Sequence, residues 1–341
     1  MGEILFVSKP VAPPWNDSSK NLVRDIAGHL QEHSPVLMQR SRQGVLRHLL
    51  FGPSSDLWHF FFAPNLKSST AGRLACALRR VPSVHTVCSM PLDGARPSKL
   101  LFADLTVALS RAAQERFRQD GVSDEVLRVI PPCVPELAEP TAIERAELRA
   151  KHELPRTAPI WIYPGDLEFG GGAEIALQGF AAWNRSDAVL LMACRRKTPQ
   201  ADEAQLRLRD LARQWGVAPR VHWLGETPLI HELLALSDFV VMVNPRAYAK
   251  MDYPLVVLEA MCLGRPVLVG KGTPSAELAE HGGALAAETH AEALTEAVER
   301  LNADENARAQ LGRQARALAT SKFSPHEVAA AYERLYEELL A

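Results

Sequence analysis

The sequence predicts an α/β protein made of two doubly wound, parallel-sheet domains. Three observations lead there. Short apolar runs of four to seven residues alternate with stretches of helical spacing along most of the 341 residues. Polar or glycine-rich loops bound these runs, as they bound buried parallel strands. One proline-crowded stretch, 131–159, then interrupts the alternation, with Pro131, Pro132, Pro135, Pro140, Pro155 and Pro159 around a charged helical piece at 142–151. At roughly 150 residues per domain, the length also fits two.

The elements follow in order. Residues 3–8 (EILFVS) read as a buried strand that stops at Lys9-Pro10. A loop follows, and 19–32 then show helical spacing, with Leu22, Val23, Ile26, Ala27 and Leu30 on one face. Further strands are expected at 57–62 (LWHFFF), 83–88 (SVHTVC), 104–109 (DLTVAL) and 127–130 (LRVI). After the proline stretch the rhythm resumes with strands at 160–163, 188–194, 220–223, 238–243 and 266–269. Helices are expected near 173–184, 200–215, 229–236, 255–263, 291–301, 304–319 and 325–340. No short repeat is present.

Composition excludes several classes. With 38 Lys+Arg against 40 Asp+Glu the net charge is −2, so binding to nucleic acid through bulk charge is not expected. The charge is mildly uneven, +3 over 1–140 and −5 over the rest. Cysteines 76, 88, 133, 194 and 262 show no metal-like spacing and read as free thiols of a reducing compartment. The start MGEILFV lacks the features of a signal peptide, and no apolar run approaches the ~20 residues of a membrane span. The expected location is cytoplasmic. Residues 40–51 (RSRQGVLRHLLF) combine Arg40, Arg42, Arg47 and His48 with Leu46, Leu49, Leu50 and Phe51. That pattern reads first as a helix packed on its own domain with a solvated basic face, and it also fits peripheral contact at the inner face of a membrane. His59, on an apolar run, reads as a core histidine.

The most informative stretch is 238–277. A buried strand ends at Val243, a loop runs to Pro254, and a helix follows with Glu259 near its middle and Gly264 as its stop. The free amides of Leu255 and Val256 at its start suit a phosphate, and Glu259 one turn on suits sugar hydroxyls. An ordinary βαβ unit with a surface glutamate has the same pattern.

LEAMCLGRPVLV at 258–269 resembles the second-domain signature of the retaining glycosyltransferases of family 4. Further resemblance lies in RVHWLGE (220–226), LIHELLALSDFV (229–240), DLTVALS (104–110), RVIPPCV (128–134) and FSPHEVAAAYERLYEEL (323–339). The resemblance spans almost the whole chain. It implies a GT-B fold: two Rossmann-like domains facing across a cleft, an acceptor-side domain at 1–135, a nucleotide-sugar domain at 136–322, and a last helix at 323–341 returning to the first. It also implies transfer of a sugar from a UDP- or GDP-linked donor to a hydroxyl of a small molecule, glycan or lipid-linked acceptor, with retention, no metal and no other cofactor.

The sequence departs from the family pattern at informative places. The first glutamate of the family's pair falls on Met251, with Asp252 one step away. Asp166 and Gly171 stand where the family has the Arg and Lys that hold the donor diphosphate. A family histidine aligns with Cys88, three residues after His85. The donor site implied here therefore comprises Gly165, Gly170, Gly171, Gly172, Leu224, Gly225, Tyr253, Pro254, Leu255, Val256 and Glu259, with Arg195, Arg196 and Lys250 as replacement cations. His85 and Asp252 are expected beside the transferred sugar. Trp15, Asn16, Asp17 and Ser18 are expected toward the acceptor, although Asp17 and Ser18 equally fit an N-cap, and Trp15 fits burial against the sheet better than stacking on a sugar. A catalytically silent binding partner and a sugar-nucleotide epimerase are the alternatives that these departures leave open.

Overall fold

In a computed structural model of the chain the described residues are 2–15, 17–38, 42–89, 96–245 and 251–341. They form two six-stranded parallel sheets, each belonging to one of two compact units. The first unit holds 1–135 together with 322–341 and, of the described loop residues, 251–255. The second holds 136–247 and 256–321.

The first unit contains β1 (Glu3–Val7), β2 (Ser34–Leu37), β3 (Leu57–Phe62), β4 (Ser83–Val87), β5 (Leu105–Ala108) and β6 (Leu127–Val129), ordered β2-β1-β3-β4-β5-β6. Its helices are α1 (Ser18–Ala27), α2 (Arg42–Phe51), α3 (Leu66–Arg79), α4 (Pro97–Leu100) and α5 (Arg111–Gln119). Its central strands are buried on both faces, with Ile4, Leu5, Phe6, Trp58, Phe60 and Phe61 all excluded from water. Such near-continuous apolar runs are what a helix-covered parallel sheet requires.

The second unit contains α6 (Ala142–Lys151), β7 (Ile160–Tyr163), α7 (Gly172–Trp183), β8 (Val189–Met192), α8 (Gln200–Gln214), β9 (Val221–Trp223), α9 (Ile230–Leu236) and β10 (Phe239–Met242). Then come α10 (Leu255–Cys262), β11 (Val267–Gly270), α11 (Glu277–Glu280), β12 (Leu285–Ala287), α12 (Ala291–Ala303) and α13 (Glu305–Lys322). The strand order is β12-β11-β10-β7-β8-β9. From β7 the chain proceeds outward to β8 and later returns to β10 on the other side. The order therefore reverses between β7 and β10, which is where open α/β sheets bind ligands, outside the strands' carboxyl ends.

The final helix, α14 (Pro325–Leu340), packs on α1 of the first unit. Its Tyr332 and Tyr336 are fully buried. Tyr336 Oη lies 2.6 Å from His59 Nδ1, whose Nε2 lies 2.7 Å from Thr86 Oγ1, itself 3.0 Å from Tyr332 Oη. Glu333 Oε1 accepts from the amides of Gln31 and Glu32. The Tyr332, Tyr336, His59 and Thr86 side chains thus satisfy one another as the helix docks, while His33 packs edge-on against Tyr336 with its buried Nδ1 unmatched.

Two strands were missed by pattern, β2 and β12. Both are short edge strands, the one SPVL and the other LAA, and neither carries an apolar run. Helix α1 stops at Ala27, earlier than its periodicity suggests, because Gly28 and His29 close it with backbone bonds to Arg24 and Ile26. No helix among the described residues is long and apolar enough to cross a membrane.

Candidate functional site

In the second unit the residues at the sheet reversal are built around Tyr163. Its hydroxyl donates to Asn244 Oδ1 at 3.1 Å, with the Asp166 carbonyl at 3.3 Å. The ring leaves no room at two positions. A Cβ on Gly165 would meet it at 2.4 Å, and one on Gly172 would meet Asn244 Oδ1 at 1.9 Å. Between them Gly170 and Gly171 take positive φ of 78° and 73°, which side chains disfavour. The glycines thus let the loop after β7 fold tightly over Tyr163 and deliver the free N-terminus of α7 to the carboxyl end of β7. Gly171 caps that helix with no side chain in the way.

The same loop is braced to its neighbour after β8. Asp166 is 4% exposed and pairs with Arg195 Nε at 3.2 Å and Lys197 Nζ at 3.1 Å. Arg195 donates its amide to the Gly165 carbonyl, and Glu168 Oε1 accepts from the amides of Lys197 and Thr198. Asp166 does not stand as a bare negative charge in the loop: two cations offset it. Both remain partly open, at 30% and 26% side-chain exposure. Arg196 turns instead to Asp202 and Gln205 at the start of α8. Leu224 is exposed after β9, and beside Gly225, at φ 69°, there is open space. Glu259 is nearly buried on α10, with its carboxylate 3.4 Å from His231 Nε2. Val256 is half-buried at the head of that helix. Lys250 lies outside the described residues.

In the first unit a second group gathers at the carboxyl ends of β1, β4 and β5. Asp17 caps α1, accepting from the amides of Ser19 and Lys20, and pairs with Lys9. Burial works against its charge, but the Lys9 and Ser19 hydrogen bonds outweigh it and bring the carboxyl down to about 2. Ser18 opens the helix. Asp252 is buried and accepts from Ser110 Oγ at 2.7 Å, while Ser110 caps α5. Cys88 sits with both acids: burial first, then the Asp17 carboxylate and, more weakly, that of Asp252 push its thiol up to about 12, against the pull of Lys9. Tyr253 packs edge-on to Phe323, Leu255 is buried and Pro254 half-buried.

Two expectations for this unit change. His85 is not at a strand end. It lies mid-strand, fully buried against Phe62 and Phe102, donating Nε2–H to the Phe62 carbonyl. Burial lowers its imidazole to about 4, with that hydrogen bond opposing. Three residues further along, Cys88 occupies the strand-end position where the family histidine aligns. Trp15 is exposed rather than packed on the sheet, with the Arg24 guanidinium 4.8 Å over its ring. Asn16 lies outside the described residues. Tyr163, Asn244 and His231 were not singled out by pattern; the only sequence trace of the first two is the pair of glycines, 165 and 172, that they crowd.

The family model for "Glycosyl transferases group 1" matches residues 144–318. N-acetyl-alpha-D-glucosaminyl L-malate synthase of Bacillus anthracis is 27% identical over 133 residues, which is 38% of this chain and 34% of that protein. The chain thus matches about a third of that relative's length. Anabaena HepE, solved in complex with UDP and glucose and with UDP-glucose, superposes with a TM-score of 0.83 at 19% identity, covering 99% of this chain and 100% of that one. A glycosyltransferase from Rickettsia africae superposes with a TM-score of 0.78 at 15% identity, covering 99% and 98%.

Proposed function

We propose, since the chain belongs to the group 1 glycosyl transferases, that it moves a sugar from a nucleotide-diphosphate donor to a hydroxyl acceptor. The observation that carries this reading is the glycine loop 170–172, which opens α7 at the sheet reversal beside Asn244. In the proposed assignment the amides at the head of α7 take the donor phosphates, and Glu259 takes the ribose hydroxyls. Arg195 and Lys197, fixed by Asp166, supply the positive charge that the family draws from the position Asp166 now fills. The fold-mate HepE holds UDP and UDP-glucose, which supports a UDP-linked donor here, with a GDP-linked one as the other class.

The chemistry follows from what such a site does. The leaving diphosphate gains negative charge as the glycosidic bond breaks, and preorganised amides and cations stabilise that charge without a strong side-chain base. No metal is needed in this reading. Retention at the anomeric carbon is proposed with it. The acceptor group is assigned to the first unit, where Asp17, Ser18, Cys88 and Asp252 gather and Trp15 stands exposed.

The test is nucleotide release from UDP- and GDP-sugars, with and without Mg²⁺. Release from one base class without metal is expected, together with retained configuration by NMR of the free sugar. No release from either class by the folded protein would favour the silent-partner reading, and conversion of the sugar without release would favour an epimerase.

A further inference from the structure

We propose that the outward face of α3, with the exposed end of α2, docks the first unit on an anionic membrane surface. Helix α3 sits with its large apolar side chains turned outward. An ordinary surface helix turns its large apolar side chains inward. Here the buried face is Ser69, Gly72 and Ala75, and a Cβ on Gly72 would meet the Phe102 ring at 2.5 Å. The small residues bring the helix backbone close to the core. Its leucines face the other way: Leu66 is 74% exposed, Leu74 54% and Leu78 64%. With Thr70 they stand four residues apart in one row. Phe51, at the end of α2, is 81% exposed, and Leu46 of the same helix, next to Arg47 in sequence, is exposed too. Leu49 is meanwhile buried, and Val45 and Leu50 pack on the same cluster as Ala75 and Cys76. The two helices therefore share one support and leave four large apolar side chains and Leu46 outside it.

The charge says what covers this face. Residues 40–80 hold seven Lys/Arg and a single acid, Asp56, in a chain whose net charge is −2. Neither helix contains Asp or Glu. Asp56 is engaged elsewhere, accepting from the Glu3 amide. Arg73 donates to the carbonyls of Lys99 and Leu101, and Arg79 to those of Leu50 and Gly52, contacts that anchor both side chains and leave their charge intact. Lys67, Arg73 and Arg80 are interleaved with the exposed leucines. Single leucines between cations suit a lipid interface, where leucines enter the acyl boundary and basic heads reach back to phosphates. A protein interface would instead be depleted of lysine among its apolar contacts, whereas Lys67 stands next to Leu66 here. The inference stands apart from the glycosyl-transfer reading, because it uses no residue of either site.

The test is co-sedimentation of the full chain with vesicles of about 30 mol% phosphatidylglycerol in phosphatidylcholine, and with phosphatidylcholine alone, at about 0.1 and 0.5 M salt. The expected result is binding to the anionic vesicles at least about tenfold above the neutral ones, falling about tenfold at the higher salt. The triple variant Leu66→Gln, Leu74→Gln, Leu78→Gln and, independently, the double variant Lys67→Glu, Arg80→Glu should each lose that binding, with unchanged thermal unfolding. Failure to bind anionic vesicles would overturn the proposal, as would binding that survives both variants. Self-association that the leucine variant abolishes, without vesicle binding, would make the face a protein interface and overturn it too.

Discussion

At the scale of the residue, Gly172 is the most tightly confined of the second unit's described glycines. A Cβ there would lie inside the contact distance of Asn244 Oδ1 and 2.9 Å from the Tyr163 hydroxyl. Gly172→Ala should therefore cost about 1–3 kcal/mol of stability, the usual penalty for overpacking, and weaken nucleotide binding. Adding Asn244→Ala should relieve part of the stability loss, a coupling that a double-mutant cycle in urea would read directly. Strict additivity would mean that the two groups do not meet. His85 gives a second prediction. Unfolded, its imidazole protonates near 6.5; folded, burial delays this to about 4. The unfolded chain binds more protons across that interval, so stability falls as pH drops from 6.5 toward 4, by roughly 3 kcal/mol for this residue alone. His59, buried next to it, is shifted the same way by burial and by His85. Denaturant midpoints from pH 7 to 5 should decline, and His85→Gln should flatten the decline. A flat wild-type profile would contradict the buried, neutral assignment.

At the scale of the element, the loops after β7 and β8 act as one piece because Asp166 ties them. Asp166→Asn keeps the shape but removes the charge that holds Arg195 and Lys197. The expected cost is about 2 kcal/mol, as for a lost charged hydrogen bond, with weaker donor binding because the two cations lose their fixed position. Thermal unfolding and nucleotide affinity should move together; a variant that binds nucleotide as well as wild type would remove Arg195 and Lys197 from the site. This brace also explains what the sequence hid. An aspartate at the family's arginine position looked like a defect, since linear order cannot show a partner 29 residues away. The strands themselves were legible because buried parallel strands are apolar without a break. The edge strands β2 and β12 were not, being short and weakly apolar. The orientation of α3 was hidden for a related reason: its leucines have helical spacing, and spacing does not say which way a face turns.

At the scale of the whole molecule, the alternation of strand and helix and the proline-crowded stretch at 131–159 were enough to foresee two α/β sheets. The first unit also gathers residues 251–255. That places Asp252 beside Ser110, a partner 142 residues earlier in the chain. His85 and Cys88 show that place along a strand outranks residue type. Both lie on one strand and its continuation, but only the residue past the strand end reaches the region where Asp17 and Asp252 gather. In the proposed reading the second unit binds a nucleoside diphosphate through the amides at the head of α7 and the Glu259 carboxylate. Calorimetric titration of the wild-type chain and Glu259→Ala with UDP, GDP and ADP, each with and without Mg²⁺, tests it most directly. Metal-independent binding of one nucleotide is expected, weakened at least about tenfold in the variant, as when hydrogen bonds to a charged group are lost. Absence of binding by the folded wild-type chain, or equal binding by the variant, would contradict it.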